Sequence, residues 1–280
     1  MERPDRSDAR RSTKERHQAL LALLRDGMSK VDELAGALDV SPSTVRRDLA
    51  RLTEDRRVAR TYGGAVVPEA FHERPIGESA RVRTGAKAEI AAAALSLVPA
   101  TGAFFVDAGT TCAALARRVS RSANVPDSGG RGPGPAATRG LETAVALSES
   151  GDLEVLMLGG SVQRMSHGVV GPLADLALER LAFSVAFLGG DAVDPQRGIG
   201  EPTLEETVIK ERIAARADHV VVLADAEKLE VGAAPAWTSL PGPWTLVTDE
   251  DAPPDVEKRC AAAGVTLLRA PRRHRSTRGA

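Results

Sequence analysis

The sequence predicts two units, a small N-terminal unit of three helices closed by a hairpin and a larger α/β unit with a mostly parallel sheet. Three observations lead there. Residues 14–68 hold three short runs of helical period and then an alternating segment. From Lys87 to residue 270 the chain alternates helical stretches with short, almost wholly apolar runs, and residues 69–86 between the two keep no period and carry mixed charge, as a linker does. A chain of 280 residues, 42% hydrophobic and 27% charged, suffices for one large domain or two smaller ones.

Composition excludes several classes. No stretch approaches the roughly 18 apolar residues of a membrane span, and the opening MERPDRSDARRSTKER lacks the apolar core of a signal peptide. A cytoplasmic protein with no membrane partner is expected. Cys112 and Cys260 cannot build a disulfide framework, and no histidine keeps metal-ligand spacing with another His or Cys, so neither a metal nor a cofactor is expected. The net charge of -1 hides a local separation. Residues 1–67 hold 14 Lys or Arg against 11 Asp or Glu, and six arginines fall between residues 40 and 60.

Residues 1–13 read as a disordered N-terminus. After them His17, Leu20, Leu21 and Leu24 keep the spacing of one helix face, and Val31, Leu34, Ala35 and Leu38 repeat it. The third helix carries its own start signal, Ser41 as N-cap with Pro42 at the first helical position. Val45, Leu49 and Leu52 then form its apolar stripe. At about 100° per residue, Ser43, Arg47 and Ala50 lie opposite that stripe, flanked by Thr44, Arg46 and Arg51. Two helices joined by the tight LDVSPST turn are a helix-turn-helix, whose second helix fits a DNA major groove. Arg46 and Arg47 carry forked donors for guanine or phosphate, and Ser43 and Thr44 bond either. The segment RRVARTYGGAVV reads as a wing with a Gly63-Gly64 turn, placing Arg57 and Arg60 near the phosphate backbone. An ordinary three-helix bundle with a solvated arginine face has the same spacing.

In the larger unit, KAEIAAAALSLV and TCAALARRV are helical, and GAFFVDAG is a strand entering a loop. EVLMLGG, VAFLGGD, HVVVLAD, WTLVTD and GVTLLRA are further buried strands. Ligands of such sheets bind beyond the strands' carboxyl ends, where the polar residues gather. Asp107, Gly109, Thr110 and Thr111 follow the first strand, Asp191 lies in GGDAVDPQRG, and Lys228 lies in LADAEK. The Gly109–Thr111 loop can turn backbone N–H groups and hydroxyls toward a phosphate, with the next helix adding its dipole. Lys228 would neutralise the anion and the aspartates would accept from sugar hydroxyls. Each feature alone is also a plain turn, cap or solvated helix end. Cys112 starts the helix after the loop, where the dipole lowers a thiol pKa, although a small packed residue explains it equally. The tail from residue 271, PRRHRSTRGA, is basic.

Taken together, RHQALLALLRDGMSKVDELAGALDVSPSTVRRDLARLTEDRRVARTYGGAVV resembles the winged helix-turn-helix of DeoR-type bacterial transcriptional regulators, above all in SPSTVRRDL and RTYGGAV. VDAGTT, LGG, FLGGDAVDPQRGIG, EETVIKERI and VVLADAEK resemble the sensor domain of the same family, whose fold is sugar-phosphate-isomerase-like. The resemblance implies a repressor with double-stranded operator DNA and a phosphorylated sugar as partners, acting as a homo-oligomer, dimer or tetramer. It implies Asp107, Gly109, Thr110, Thr111, Asp191 and Lys228 as effector contacts, with Glu205 and Lys210 behind them. Two departures stand out. Tyr62 replaces the family's usual histidine, and Arg139 follows Thr138 where relatives have Asn. Before Thr138, Pro126, Pro133 and Pro135 with repeated glycines forbid a long regular strand, so residues 120–136 read as an inserted loop or a shortened strand. Glu227 brings a carboxylate near the expected pocket. The alternative is a sugar-phosphate isomerase or deaminase carrying a DNA-binding arm, with Asp191, Asp194 and Lys228 as conceivable acid-base groups. A nucleotide-binding enzyme is disfavoured, since neither a P-loop nor a complete GxGxxG occurs.

Overall fold

The computed structural model describes residues 13–25, 28, 30–54, 59–61, 64–66, 73–123, 134–230 and 234–272. The N-terminus up to residue 12, Arg57, Tyr62, Gly63, Pro126, Pro133 and the tail from residue 273 lie outside them. The chain divides into two compact units, Met1–Phe71 and His72–Ala280.

In the first unit, α1 (Thr13–Arg25), α2 (Val31–Leu38) and α3 (Pro42–Glu54) precede β1 (Ala59–Thr61), which pairs antiparallel with β2 (Gly64–Val66). Thr13, expected in the disordered terminus, begins α1. Leu20, Leu21, Leu24, Leu34, Val45, Leu49 and Leu52 are buried in one core, as their spacing predicts. Full burial of each such side chain contributes about 1.5–3 kcal/mol. Asp39 ends α2 in the left-handed conformation, φ 52°, and Ser41 Oγ accepts from Thr44 N at 3.2 Å to cap α3. These two local devices make the tight turn between the helices.

The second unit opens with α4 (Ile76–Ser79) and α5 (Thr84–Ala94), followed by β3 (Phe104–Val106), α6 (Thr110–Ala123), β4 (Ala136–Thr138), α7 (Leu141–Ser148) and β5 (Val155–Met157). A hairpin of β6 (Ser161–Val162) and β7 (Val169–Val170) leads to α8 (Pro172–Leu178) and β8 (Phe183–Leu188). Then come β9 (Ala192–Asp194), β10 (Gly198–Glu201), α9 (Leu204–Ala214), β11 (Ala217–Leu223), α10 (Ala226–Leu229), β12 (Ala236–Thr238), β13 (Thr245–Asp249), α11 (Val256–Ala263) and β14 (Thr266–Ala270).

Seven strands form a parallel sheet in the order β14-β13-β11-β8-β3-β4-β5, and β12-β10-β9 form a separate antiparallel sheet. Strand residues alternate between two buried faces. Phe104, Val106, Phe187, Val221 and Leu223 enter the core under α5 and α6, while Phe105, Ala186, Leu188, Val220 and Val222 enter the opposite core with Ile209 and Ile213 of α9. Sequence order runs outward in both directions from the β3–β8 pair, so this pair is the switch point, where a crevice opens beyond the carboxyl ends.

Two expectations are corrected. The described part of the supposed linker, from Glu73, is built into the second unit. Lys87 is buried and donates from Nζ to Ser79 O at 2.6 Å and Val82 O at 2.9 Å, and Arg83 pairs with Asp225, Asp249 and Asp251. The break in periodicity there reflects a strap held by its charged side chains. The Pro/Gly-rich region is likewise narrower than composition implied. Residues 120–123 continue α6, and Pro135 leads directly into β4, a short strand hydrogen-bonded between β3 and β5.

Candidate functional site

In the first unit the apolar stripe of α3 is buried, so its other side faces outward. Ser43, Arg46, Arg47 and Arg51 are exposed and Thr44 is half-buried. Ser41 Oγ lies 2.8 Å from both Ser43 Oγ and Thr44 Oγ1, which orients the hydroxyls at the start of the helix. Between the outward arginines, Asp48 points inward. It accepts from Arg16 Nε at 2.6 Å and lies 3.1 Å from His17 Nε2, tying α3 to α1. Although burial opposes it, these partners hold the Asp48 carboxyl below the usual carboxylate range. The exposed arginine face thus stands on a buried ion pair that fixes its rotation. Arg60 lies in β1, beyond α3 in the chain.

In the second unit a cleft of about 430 Å³, including its open mouth, lies at the β3–β8 switch point. Gly109 and Thr110 line it at the N-terminus of α6, with Gly190 and Asp191 after β8, Arg139 after β4, Glu201 on β10, and Glu206 and Lys210 on α9. Glu73, Arg74, Ile76 and Ser79 cover it from the strap, and Met165 and Ser166 from the β6–β7 connection. Gly109 has φ +102°, a conformation L side chains rarely adopt, and nothing lies within 4 Å of where a Cβ would sit. The backbone entering α6 therefore faces open space at Gly109, and Thr110 Oγ1 beside it lies 3.4 Å from Ser79 Oγ of the strap.

Beneath this turn lies a buried charge cluster. Asp107 has no exposed surface and accepts from Arg139 Nε at 2.5 Å, Lys210 Nζ at 2.8 Å, Ala108 N at 2.7 Å and Gly189 N at 3.3 Å. Despite burial, Arg139 and Lys210 hold its carboxyl down at about 2. Lys210 also donates to Gly189 O at 2.7 Å and lies 2.8 Å from Glu201 Oε1. Burial pushes Glu201 up to about 8, with the Glu206 and Asp191 charges adding to it against the pull of Lys210. Burial and the same two neighbours push Glu73 up to about 7.

These positions revise the expected contacts. Gly109, Thr110 and Asp191 line the cleft, whereas Thr111 does not. Asp107 sits below the wall with both oxygens occupied, so it organises cations and offers no oxygen to a sugar. Lys228 pairs with Asp191 at 2.6 Å, which leaves Asp191 partly neutralised at the rim. Of the two weaker candidates, Lys210 is sealed in the cluster and Glu205 is exposed outside the lining. Glu227 is exposed and lies 3.3 Å from Arg74 at the mouth. Burial, and then Asp107, push the Cys112 thiol up, contrary to the lowering expected from the helix dipole.

Sequence reasoning missed Glu73, Glu201, Glu206 and the inward turn of Arg139. Glu206 did carry a signal. It precedes Ile209 by three residues and Ile213 by seven, which centres it on the apolar stripe of α9 and turns Glu205 away. Arg139 occupies the carboxyl end of a central strand, the position from which side chains reach a switch-point crevice.

Among the described residues, no cluster has the composition to hold a metal ion and no helix is long and apolar enough to cross a membrane. Comparison with known proteins places both units. Residues 16–71 match the DeoR-like helix-turn-helix domain and residues 82–250 the DeoR C terminal sensor domain. The chain is similar to a putative aga operon transcriptional repressor of Escherichia coli O157:H7, with 28% identity over 91% of this chain and 93% of that one. It is 30% identical to the HTH-type transcriptional regulator GlpR of Haloferax volcanii, over 91% of this chain and 96% of that one. It is 26% identical to the glycerol-3-phosphate regulon repressor of Escherichia coli K12, over 76% of this chain and 82% of that one. These relatives are named as regulators or repressors, none as an isomerase or deaminase. With a helix-turn-helix that buries its apolar stripe and turns arginines outward, and a sensor domain with its cleft at the sheet's switch point, the chain belongs to the DeoR family of transcriptional regulators.

Proposed function

We propose that the chain is a repressor whose operator binding is set by a phosphorylated sugar or related metabolite in the cleft. The observation that carries this reading is the open Gly109 turn into α6 at the β3–β8 switch point, in a chain whose other unit exposes Arg46, Arg47 and Arg51 on one helix face. The backbone N–H groups of the Gly109–Thr110 turn and the positive end of the helix dipole suit a phosphate there, with Arg74 at the mouth. In the first unit, α3 enters the major groove. Arg46 and Arg47 contact base edges or phosphates, and Ser43, Thr44 and Arg51 contribute beside them. A homo-oligomer, dimer or tetramer, presents two such helices to two half-sites. The effector acts by binding more tightly to one arrangement of those helices than to the other.

Gel shifts over genomic fragments near the gene test this. Sequence-preferring binding is expected at moderate salt, weakened by Arg47→Ala. Thr110→Ala retains DNA affinity and loses the response to sugar phosphates. Binding without sequence preference, or a Thr110→Ala protein that responds like wild type, contradicts the proposal.

A further inference from the structure

The inner end of the cleft holds a donor that the phosphate end does not use. Arg139 is 1% exposed and its Nε is committed to Asp107, yet its Nη1 has no hydrogen-bond partner among the described residues. The facing acceptor is Oε1 of Glu206, also buried, at 3.8 Å, too far for a hydrogen bond. That oxygen accepts from Ser166 Oγ at 2.8 Å and keeps a further lone pair. Lys210 differs, since Asp107, Gly189 O and Glu201 surround its Nζ within 2.8 Å. Arg139 is therefore the buried cation of the cleft wall with a donor to spare, and a buried donor is costly to leave unmade.

The guanidinium is held where it is. A Cβ on Gly168 would lie 2.4 Å from Nη1 and 3.1 Å from Cζ, so the glycine makes the room the group occupies. The charge count decides what the spare donor accepts. Arg139 and Lys210 face three carboxyl groups, Asp107, Glu201 and Glu206, so this end has no surplus positive charge for a second phosphate or a carboxylate. A hydroxyl meets no such repulsion, because it accepts from Nη1 and donates to Oε1. One oxygen can touch two atoms 3.8 Å apart when no direct bond joins them.

We propose that Arg139 and Glu206 form a reader for one hydroxyl group of the effector, deeper in the cleft than the phosphate. The assignment rests on reading the cleft as a sugar-phosphate site. It makes Arg139 a specificity-determining residue, at the position where the resemblance shows a departure from the usual Asn. Ligands with a hydroxyl at that depth bind with an advantage that inorganic phosphate lacks.

Calorimetric titration of the full chain tests it, with inorganic phosphate, glycerol 3-phosphate, ribose 5-phosphate, fructose 6-phosphate and glucosamine 6-phosphate as probes. Wild type is expected to bind at least one sugar or polyol phosphate more tightly than inorganic phosphate. Glu206→Gln and Gly168→Ala each reduce that ratio on the order of tenfold, the first by weakening the acceptor and the second by displacing Nη1. Arg139→Lys does the same if it folds, and thermal melts of each variant identify any that do not. An unchanged ratio in folded Glu206→Gln and Gly168→Ala overturns the hydroxyl reader while leaving the sensor reading intact. Equal losses for inorganic phosphate and the sugar phosphates place Arg139 at the phosphate and overturn it too. A wild type that binds no probe overturns the sensor reading itself, and this one with it.

Discussion

Arginine works in opposite ways in the two units. On α3, Arg46, Arg47 and Arg51 are exposed and retain their hydration, so their charge is available to a polyanion that approaches from solvent. Arg139 is enclosed, and its charge is already balanced by Asp107 and faced by Glu206. An exposed arginine contributes long-range attraction that salt weakens, whereas an enclosed one contributes fixed donor geometry that salt scarcely reaches. Recognition of DNA and recognition of a small polar effector thus draw on different properties of the same side chain. In both units a buried aspartate sets the geometry, Asp48 beneath the arginine face and Asp107 beneath the cleft.

The sharpest way to break this contrast is to remove the aspartates. Asp107→Ala leaves two buried cations without their shared partner and is expected to cost the second unit about 3–5 kcal/mol. Urea unfolding of the full chain reads this as an early transition, and a loss below about 1 kcal/mol would mean the cluster is not integral to the fold. Asp48→Asn removes charged hydrogen bonds to Arg16 and His17, and a loss of about 1.5–3 kcal/mol is expected from the first unit. Because the Asp48 carboxyl is held low in the folded state, its contribution is complete above the unfolded value of about 3.9. It fades as pH falls through the folded value, so wild type and variant should converge in acid.

The arginine face is visible in the sequence because its cause is local. Ser41, Pro42 and the Val45, Leu49, Leu52 stripe fix the start and rotation of α3 within a dozen residues. The parallel strands are equally plain, since VAFLGG and HVVVLAD are buried on both sides and read as continuous apolar runs. The cleft floor is different. Asp107 meets Arg139 and Lys210 across 32 and 103 residues of chain, separations that no periodicity records. Arg139 reads only as a departure from the usual Asn, because nothing nearby in sequence shows that Asp107 turns it inward. The β9-β10-β12 sheet leaves little trace in the sequence for another reason. GIGE and AWT are short, and Gly198, which admits the Thr238 backbone at close range, and Gly200, which admits the Ala192, Ala234 and Trp237 side chains, give β10 the composition of a turn.

Two further effects sharpen the contrast. Arg47→Ala is expected to weaken operator binding about tenfold, some 1.4 kcal/mol. If Arg47 contacts phosphate, the salt slope of binding falls by about one and all sequences weaken alike. If it contacts a base, the loss concentrates on the preferred site. The last effect concerns the pH dependence set by Glu201. Its folded value of about 8 lies above the unfolded value of about 4.3, so the native state carries an extra proton between them and stability declines as pH rises through that window. Glu201→Gln should flatten this decline, with melts at pH 5.5 and pH 8.0 differing less than in wild type. An equal decline in both proteins would remove Glu201 from the account.

The most direct test joins the two uses of arginine in one titration. Fluorescence anisotropy of the full chain on DNA from upstream of its own gene is measured alone and with glycerol 3-phosphate, ribose 5-phosphate, fructose 6-phosphate or glucosamine 6-phosphate. Sequence-preferring binding is expected, with a midpoint that moves about tenfold with at least one of these compounds and does not move with it in Thr110→Ala. Midpoints that ignore every compound, or that shift equally in Thr110→Ala, would contradict it.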